Sequence, residues 1–209
     1  MGTRLIEQLG TRVVAFGAHP DDLEIGAGGT IARLIAEGAE VTMVTVSVPT
    51  LLEQRLEEAA RSAKVLGAPS RILFPKLCRA EDIPMYELVR AMDTVLNDIR
   101  PDLVLTHSAT DLHWDHGLVN RAAISAMRRL PSNLFAYTSS YELNAGSRGI
   151  GQCFIDIGAT LSTKLMAVAA HQTQLPKIDI EGIRDLSRAM GRIAGIEHAE
   201  AFEVLRMRL

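Results

Sequence analysis

The sequence predicts an α/β fold: a mostly parallel twisted sheet with helices on both faces and a looser C-terminal part. Three observations carry that prediction. Short β-branched runs alternate with segments whose apolar residues recur at helical period. Glycine or proline stands at most of the boundaries between them. Strict strand–helix alternation demands crossover connections, and crossovers make parallel neighbours. The 209 residues suit one domain, 1–209, with no internal repeat, low-complexity tract or linker.

Arg12-Val13-Val14-Ala15-Phe16-Gly17 reads as a buried strand, and Gly28 to Gly38 as a helix closed by its glycine. Val41 to Val46 is a second strand. Leu52, Leu56, Ala59, Ala63 and Leu66 are spaced by four, three, four and three, which is one face of a helix over Leu51–Leu66. Gly67 and Pro69 end it. Arg71 to Phe74 makes a short third strand. Pro84 opens a helix with Leu88, Val89, Met92, Val95, Leu96 and Ile99 on its buried face. Pro101 stops that helix, and Asp102 to Thr106 is a fourth strand. After Leu130 the rhythm loosens. Leu134–Leu143 and Cys153–Ile157 read as strands around a loop containing Gly146, Gly149 and Gly151. Ala159–Ala170 and Glu181–Ala194 read as helices and Phe202–Met207 as a last strand. The pattern is Rossmann-like, and in such sheets ligands collect beyond the carboxyl ends of the strands. The loops after strands one, two and four are therefore where function is expected.

Composition narrows the function classes. With 47% hydrophobic and 22% charged residues the chain is an ordinary globular protein, not a disordered one. Its 22 Lys and Arg against 25 Asp and Glu leave a net charge of -3, which argues against nucleic acid or a polybasic membrane contact as partner. Aromatic residues, at 4%, are too few for a single-strand stacking platform. Cys78 and Cys153 lie far apart without a CxxC pair and read as buried free thiols of a reducing compartment. The first apolar run ends at His19-Pro20, too short for a signal-peptide core, and no stretch approaches the roughly 18 apolar residues of a membrane span. The expectation is a cytoplasmic protein without membrane insertion.

Six histidines are the feature that generic composition does not explain. The loop after strand one, Ala18-His19-Pro20-Asp21-Asp22-Leu23-Glu24, packs one imidazole and three carboxylates together. The loop after strand four, His107-Ser108-Ala109-Thr110-Asp111-Leu112-His113-Trp114-Asp115-His116, adds three imidazoles and two carboxylates. Both leave carboxyl ends of one sheet, so they face one cleft. Taken singly, such residues are ordinary turn and cap formers. Two clusters at corresponding strand ends point instead to a divalent metal, and mixed imidazole and carboxylate favours zinc or another first-row cation over magnesium or calcium.

These residues carry a family resemblance. His19-Pro20-Asp21-Asp22 with Glu24 resembles the AHPDD(x)E signature of the PIG-L/LmbE-like de-N-acetylases, and His113-Trp114-Asp115-His116 resembles their HxDH motif. Gly26-Ala27-Gly28-Gly29-Thr30 is similar to the family's glycine turn, and Arg55, Glu58 and Leu66-Gly67 to its R..E...A..LG helix. Ala170 to Gln174 resembles its late AH.SQ segment, and Glu200-Ala201-Phe202 its terminal strand. The resemblance spans nearly the whole chain. It implies His19, Asp22 and His116 as zinc ligands, with Fe2+ as a competitor for Zn2+. It implies Asp21 as general base and His113 as the group that stabilises or protonates the intermediate. The implied reaction removes an N-acyl group from an N-acetylglucosamine-type sugar, releasing acetate and a free amine.

The chemistry asks for the same residue types. Zinc lowers the pKa of its water toward roughly 7, and a carboxylate beside a ligand reaches that water without binding the metal. Asp21, adjacent to Asp22, is placed for that. A protonated His113 donates to the oxyanion and then to the amine, and Asp115 fixes an imidazole tautomer. Arg55 is read as a fork for a substrate phosphate or carboxylate, with a helix-surface salt bridge to Glu58 as the alternative. His171 reads as a surface-loop residue by itself and as a pocket residue by resemblance. Glu24 reads either as support for the site or as helix N-terminal charge, His107 as a core histidine or a neighbour of the site, and His198 as structural. Trp114 either packs beside the site or offers a sugar-stacking face.

One departure stands out. Ser47-Val48-Pro49-Thr50 runs almost directly into the next helix, where the family carries a longer loop. That puts the usual substrate specificity in question and leaves the metal chemistry intact. A homo-oligomer in which a neighbouring subunit completes that wall is compatible with the sequence. Rival readings are a zinc amidase for a non-sugar acylated conjugate and a binding module with a structural metal. A nucleotide-dependent enzyme is a third, disfavoured because the glycines do not stand in GxGxxG order.

Overall fold

Strand β1 (Arg12–Gly17) buries both of its faces. Val13 and Ala15 join one hydrophobic cluster, whereas Val14 and Phe16 join another on the opposite side of the sheet. A strand covered on both sides reads as a continuous apolar run, and that is the mark of a parallel sheet. A computed structural model describes residues 4–139 and 151–208. Its sheet adds β2 (Glu40–Thr45), β3 (Ser70–Ile72), β4 (Leu103–His107), β5 (Asn133–Tyr137), β6 (Cys153–Asp156) and β7 (Ala199–Arg206). The spatial order is β3-β2-β1-β4-β5-β7-β6. The first five are parallel, and β7 runs antiparallel to both β5 and β6.

Helices α1 (Leu5–Leu9), α2 (Asp22–Ala36), α3 (Leu52–Leu66), α6 (Leu161–Ala169) and α7 (Ile180–Ala194) contribute to the cluster on the Val13 face. Helices α4 (Met85–Ile99) and α5 (Trp114–Ala126) cover the Val14 face. The chain winds outward from β1 in one direction and from β4 in the other, so the switch point of the sheet lies between these neighbours. The loops that follow them meet there. Among the described residues no helix is long and apolar enough to cross a membrane.

The expected helix from Gly28 instead begins at Asp22, and the glycines lie inside it rather than ahead of it. The reason is close approach. A Cβ on Gly26 would stand 2.1 Å from Tyr137 Cδ2, and one on Gly29 would stand 2.8 Å from the Ile157 side chain. Helix α5 and the short α1 were not separated out by the sequence pattern, and β7 starts three residues before the expected Phe202. Cys78 and Cys153 are free, as expected, but half-buried rather than buried. The end of the expected Leu134–Leu143 strand, Gly146 and Gly149 lie outside the described residues.

Candidate metal centre and active site

The turn after β1 is drawn tight by its own side chains. The His19 backbone N–H donates to Asp22 Oδ2 at 2.7 Å, and Asp22 opens helix α2. Across the switch point, β4 ends at His107, and His113 caps α5 by accepting the Asp115 N–H on Nδ1 at 3.2 Å. That cap sets Asp115 and His116 in the first helical turn, facing the β1 loop. Ala18 N–H donates to His107 Nε2 at 3.0 Å and ties the two loops together.

The side chains so delivered converge. His116 Nε2 lies 3.2 Å from Asp22 Oδ1, and His19 Nδ1 lies 3.7 Å from Asp22 Oδ2. The ring of His113 is 5.0 Å from that of His19 and 4.6 Å from that of His116. Donor atoms within 4.8 Å of one another form two groups, His19–His113–His116 and Asp22–His107–His116. They share His116.

Hydrogen bonding decides which nitrogens are open. Asp115 Oδ2 takes His19 Nε2 at 2.9 Å, and Asp111 Oδ1 takes His116 Nδ1 at 3.0 Å. A carboxylate on the far nitrogen leaves the near one as a ligand and raises its basicity. His116 Nε2 is indeed buried with no hydrogen-bond partner. His107 differs, because its Nε2 already accepts the Ala18 N–H. Burial holds His107 below the ordinary histidine value, and its ring stacks 3.9 Å from that of His116. Open imidazole nitrogens on His19 and His116 and the Asp22 carboxylate, divided between the two groups, are donor types that suit a divalent cation of the zinc type.

Electrostatics point the same way. Burial works against charge on His116, but Asp22 and Asp111 outweigh it and push its pKa up to about 10. Burial would raise the Asp22 carboxyl, yet His116 and His107 hold it well below the usual range. Asp111 behaves likewise: burial opposes its charge, and His116 and His107 draw it below the usual carboxylate range. A pocket that makes one imidazolium this comfortable is built to neutralise a buried cation.

Asp21 has opposite surroundings to its neighbour. Burial first, and then the charge of Asp22, raise its pKa to about 7, against the pull of Arg55 and His171. Its backbone sits at φ 112°, ψ −29°, a left-handed conformation that costs a non-glycine residue on the order of 1–3 kcal/mol. Arg55 holds it there: one Nη2 donates to Pro20 O at 2.6 Å and to Asp21 Oδ2 at 3.3 Å.

Arg55 is buried, with its guanidinium donating to Pro20 O beneath the β1 loop. It makes no surface pair with Glu58, which is buried and accepts from Thr173 N–H and Oγ1 at 2.8 and 2.6 Å. His171 is not a surface-loop residue. It is fully buried, with Nε2 3.2 Å from Glu24 Oε1. Glu24 in turn accepts from Ser62 Oγ at 2.5 Å, so it belongs to this buried support and not to exposed helix-end charge. Asp111 is the site residue that the sequence left unassigned; its spacing does not reveal which imidazole it takes. Trp114 projects outward beside His113, at the edge of a cleft.

A family model described as GlcNAc-PI de-N-acetylase, PIG-L, matches residues 14–127, more than half of the chain. The chain belongs to the PIG-L family. An uncharacterized deacetylase of Escherichia coli K12 is 32% identical over 137 residues, covering 61% of this PIG-L chain and 74% of the relative. Diacetylchitobiose deacetylase of Thermococcus kodakarensis is 29% identical, over 90% of this chain and 81% of the relative. The solved structure of a 4-carboxy-2-hydroxymuconate hydratase from Pseudomonas putida KT2440 superimposes with a TM-score of 0.79 at 21% identity, covering 95% of this chain and 98% of that one. That likeness is one of fold alone. A hydratase on the PIG-L fold shows that the reaction must be argued from the site.

Proposed function

We propose that this chain is a metal-dependent hydrolase that removes the N-acetyl group from an N-acetylglucosamine-type sugar or glycoconjugate. The observation that carries the reading is the contrast between two adjacent carboxylates. Asp22 is held ionised among imidazoles, as a ligand must be, whereas Asp21 is pushed to about 7, where a general base works best. His19, Asp22 and His116 hold the metal, Zn2+ with Fe2+ as the competitor. Bound there, it polarises the acyl carbonyl and lowers the pKa of its water.

The chain's own residues do the rest. Asp21 accepts the proton of the attacking water and returns it to the leaving amine as the C–N bond breaks, and Arg55 keeps that carboxylate aimed. His113 has Nδ1 engaged by the Asp115 N–H, so its ring proton sits on Nε2, the edge turned to the site. Burial, with His116 and His19 nearby, keeps His113 below the ordinary histidine value. A neutral Nε2–H donates to the acyl oxygen as its charge grows. Asp115 serves both histidines: its carboxylate holds His19 and its backbone N–H holds His113. It is a positioning residue for the reaction. The names of curated relatives that are deacetylases of diacetylchitobiose and of an acetamido-deoxy-glucopyranoside support an N-acetylated sugar as substrate.

The test is acetate release by zinc-loaded protein from N-acetylglucosamine, its disaccharide and their glycosides. Asp21→Asn is expected to retain its zinc and lose about 10²–10⁴-fold in turnover. Full turnover in that variant removes Asp21 from its role. Zinc-loaded wild type that releases no acetate from any of these sugars overturns the reading.

A further inference from the structure

Beside His113 a cleft of about 180 Å³ opens to the surface, with Trp114, Leu112, Leu118 and Arg121 among its lining residues. Two large apolar side chains are left to water there, Trp114 at 64% and Leu112 at 63% exposure. An exposed indole next to an exposed leucine, opening on a catalytic histidine, is a surface that gains by being covered.

The polar groups of the cleft narrow what covers it. Asn120 donates to His107 O at 2.7 Å, and Asp111 is engaged by His116, His113 N–H and Ser139 N–H. Both are turned inward to hold the metal-site histidines. A sugar ring needs hydrogen-bonding groups flanking the aromatic face, and these two are taken. Among the described lining residues, Trp114, Leu112 and Leu118 form an apolar side of the cleft, and His113 and Arg121 are polar neighbours of it. The other loops at this end of the sheet agree: Leu51 follows β2 and Leu77 follows β3, and both are exposed.

Resting on the deacetylase reading above, we propose that this cleft binds the aglycone of the substrate and that the aglycone is apolar, with an aryl group stacked on Trp114. Trp114 is then a specificity-determining residue. It selects aryl N-acetylglucosaminides over simple alkyl glycosides, the free sugar or the disaccharide.

The experiment compares zinc-loaded protein on phenyl and methyl N-acetylglucosaminide. The expected kcat/KM ratio favours the phenyl glycoside by about tenfold, the size of one buried aromatic contact. That ratio collapses toward one in Trp114→Ala and is retained in Trp114→Phe. A wild-type ratio near one, or a ratio that survives Trp114→Ala, overturns the proposal. Because Trp114 is the only tryptophan of the chain, its fluorescence reports on the cleft without turnover. Saturable quenching by phenyl N-acetylglucosaminide, with none by the methyl glycoside, is expected. It would stand even if no acetate were released, so failure of the deacetylase reading is told apart from failure of this one. If Trp114 emission instead shifts with protein concentration alone and phenyl glycoside leaves it unchanged, the cleft is covered by a second copy and the aglycone assignment is wrong.

Discussion

Helix α2 carries two buried clusters of charge, and they are built on opposite rules. In its middle, Lys164 Nζ meets Glu200 Oε1 at 2.6 Å and Ile25 O at 2.7 Å. The Glu200 carboxylate also accepts the Gly29 and Thr30 N–H groups at 2.9 and 2.7 Å. Those two N–H groups would ordinarily seek Ile25 and Gly26 in the helical ladder. The ion pair thus enters mid-helix, binding β7, α6 and α2 together with both charges engaged. At the N-terminus of the same helix, Asp22 Oδ1 faces His116 Nε2 at 3.2 Å, and that nitrogen is buried without a hydrogen bond. One cluster closes on itself and is structural. The other leaves a donor atom open and is a site. Burial of charge alone does not separate the two; the completeness of the hydrogen bonding does.

The largest expected effect breaks the closed cluster. Lys164→Met leaves Glu200 buried without its cation, a loss of about 3–5 kcal/mol in urea-unfolding free energy. Pairing it with Glu200→Gln is expected to recover part of that loss, since no isolated charge then remains. Metal affinity per folded molecule is expected to stay as in wild type. A weakened metal site in folded Lys164→Met protein would show that the two clusters are coupled through α2.

The open cluster predicts the reverse. Zinc at a hundredfold excess over its Kd stabilises the fold by about 2.7 kcal/mol, and chelation removes that gain. For a chain of this length the shift in Tm is about 5–11 °C. His116→Ala is expected to abolish the zinc-dependent shift altogether. An undiminished shift in that variant would place the metal elsewhere. A smaller effect follows for the supporting carboxylate: Asp111→Asn keeps the metal but weakens it about 10–100-fold by competition with a chelator.

What the sequence shows of these two clusters differs for a physical reason. His19, Asp22, His113 and His116 are legible because short loops at strand ends place them, and a loop's contents can be read locally. Strand β1 and the buried face of α4 are legible for the same reason, since periodicity is a local signal. The start of α2 is not. Glycine reads as a helix breaker, and the need for it at Gly26 arises from Tyr137, far along the chain. Glu200 resembled a family position without revealing its partners, which come from α2 and α6. The burial of Arg55 and His171 is hidden for a like cause: it comes from contacts with Pro20 and Glu24, distant in the chain, which no spacing encodes.

Arg55 offers the finest test of where the open cluster ends. Its charge pulls the Asp21 carboxyl down, against burial and Asp22. Asp21 must be ionised to accept a proton, so activity falls as pH drops through its pKa. Removing the guanidinium with Arg55→Met raises that pKa, and the acid limb of the kcat profile moves to higher pH. The expected displacement is about one pH unit, or roughly 1.4 kcal/mol between the two protonation states. The basic limb and KM are expected to change little, because the guanidinium donates to Pro20 O and Asp21 Oδ2. Arg55→Lys keeps the charge and is expected to restore most of the profile without the Pro20 fork. A substrate-binding arginine behaves otherwise: KM rises and the acid limb stays where it was. Either result assigns Arg55 to one side of the boundary between the residues that aim the base and those that hold the sugar.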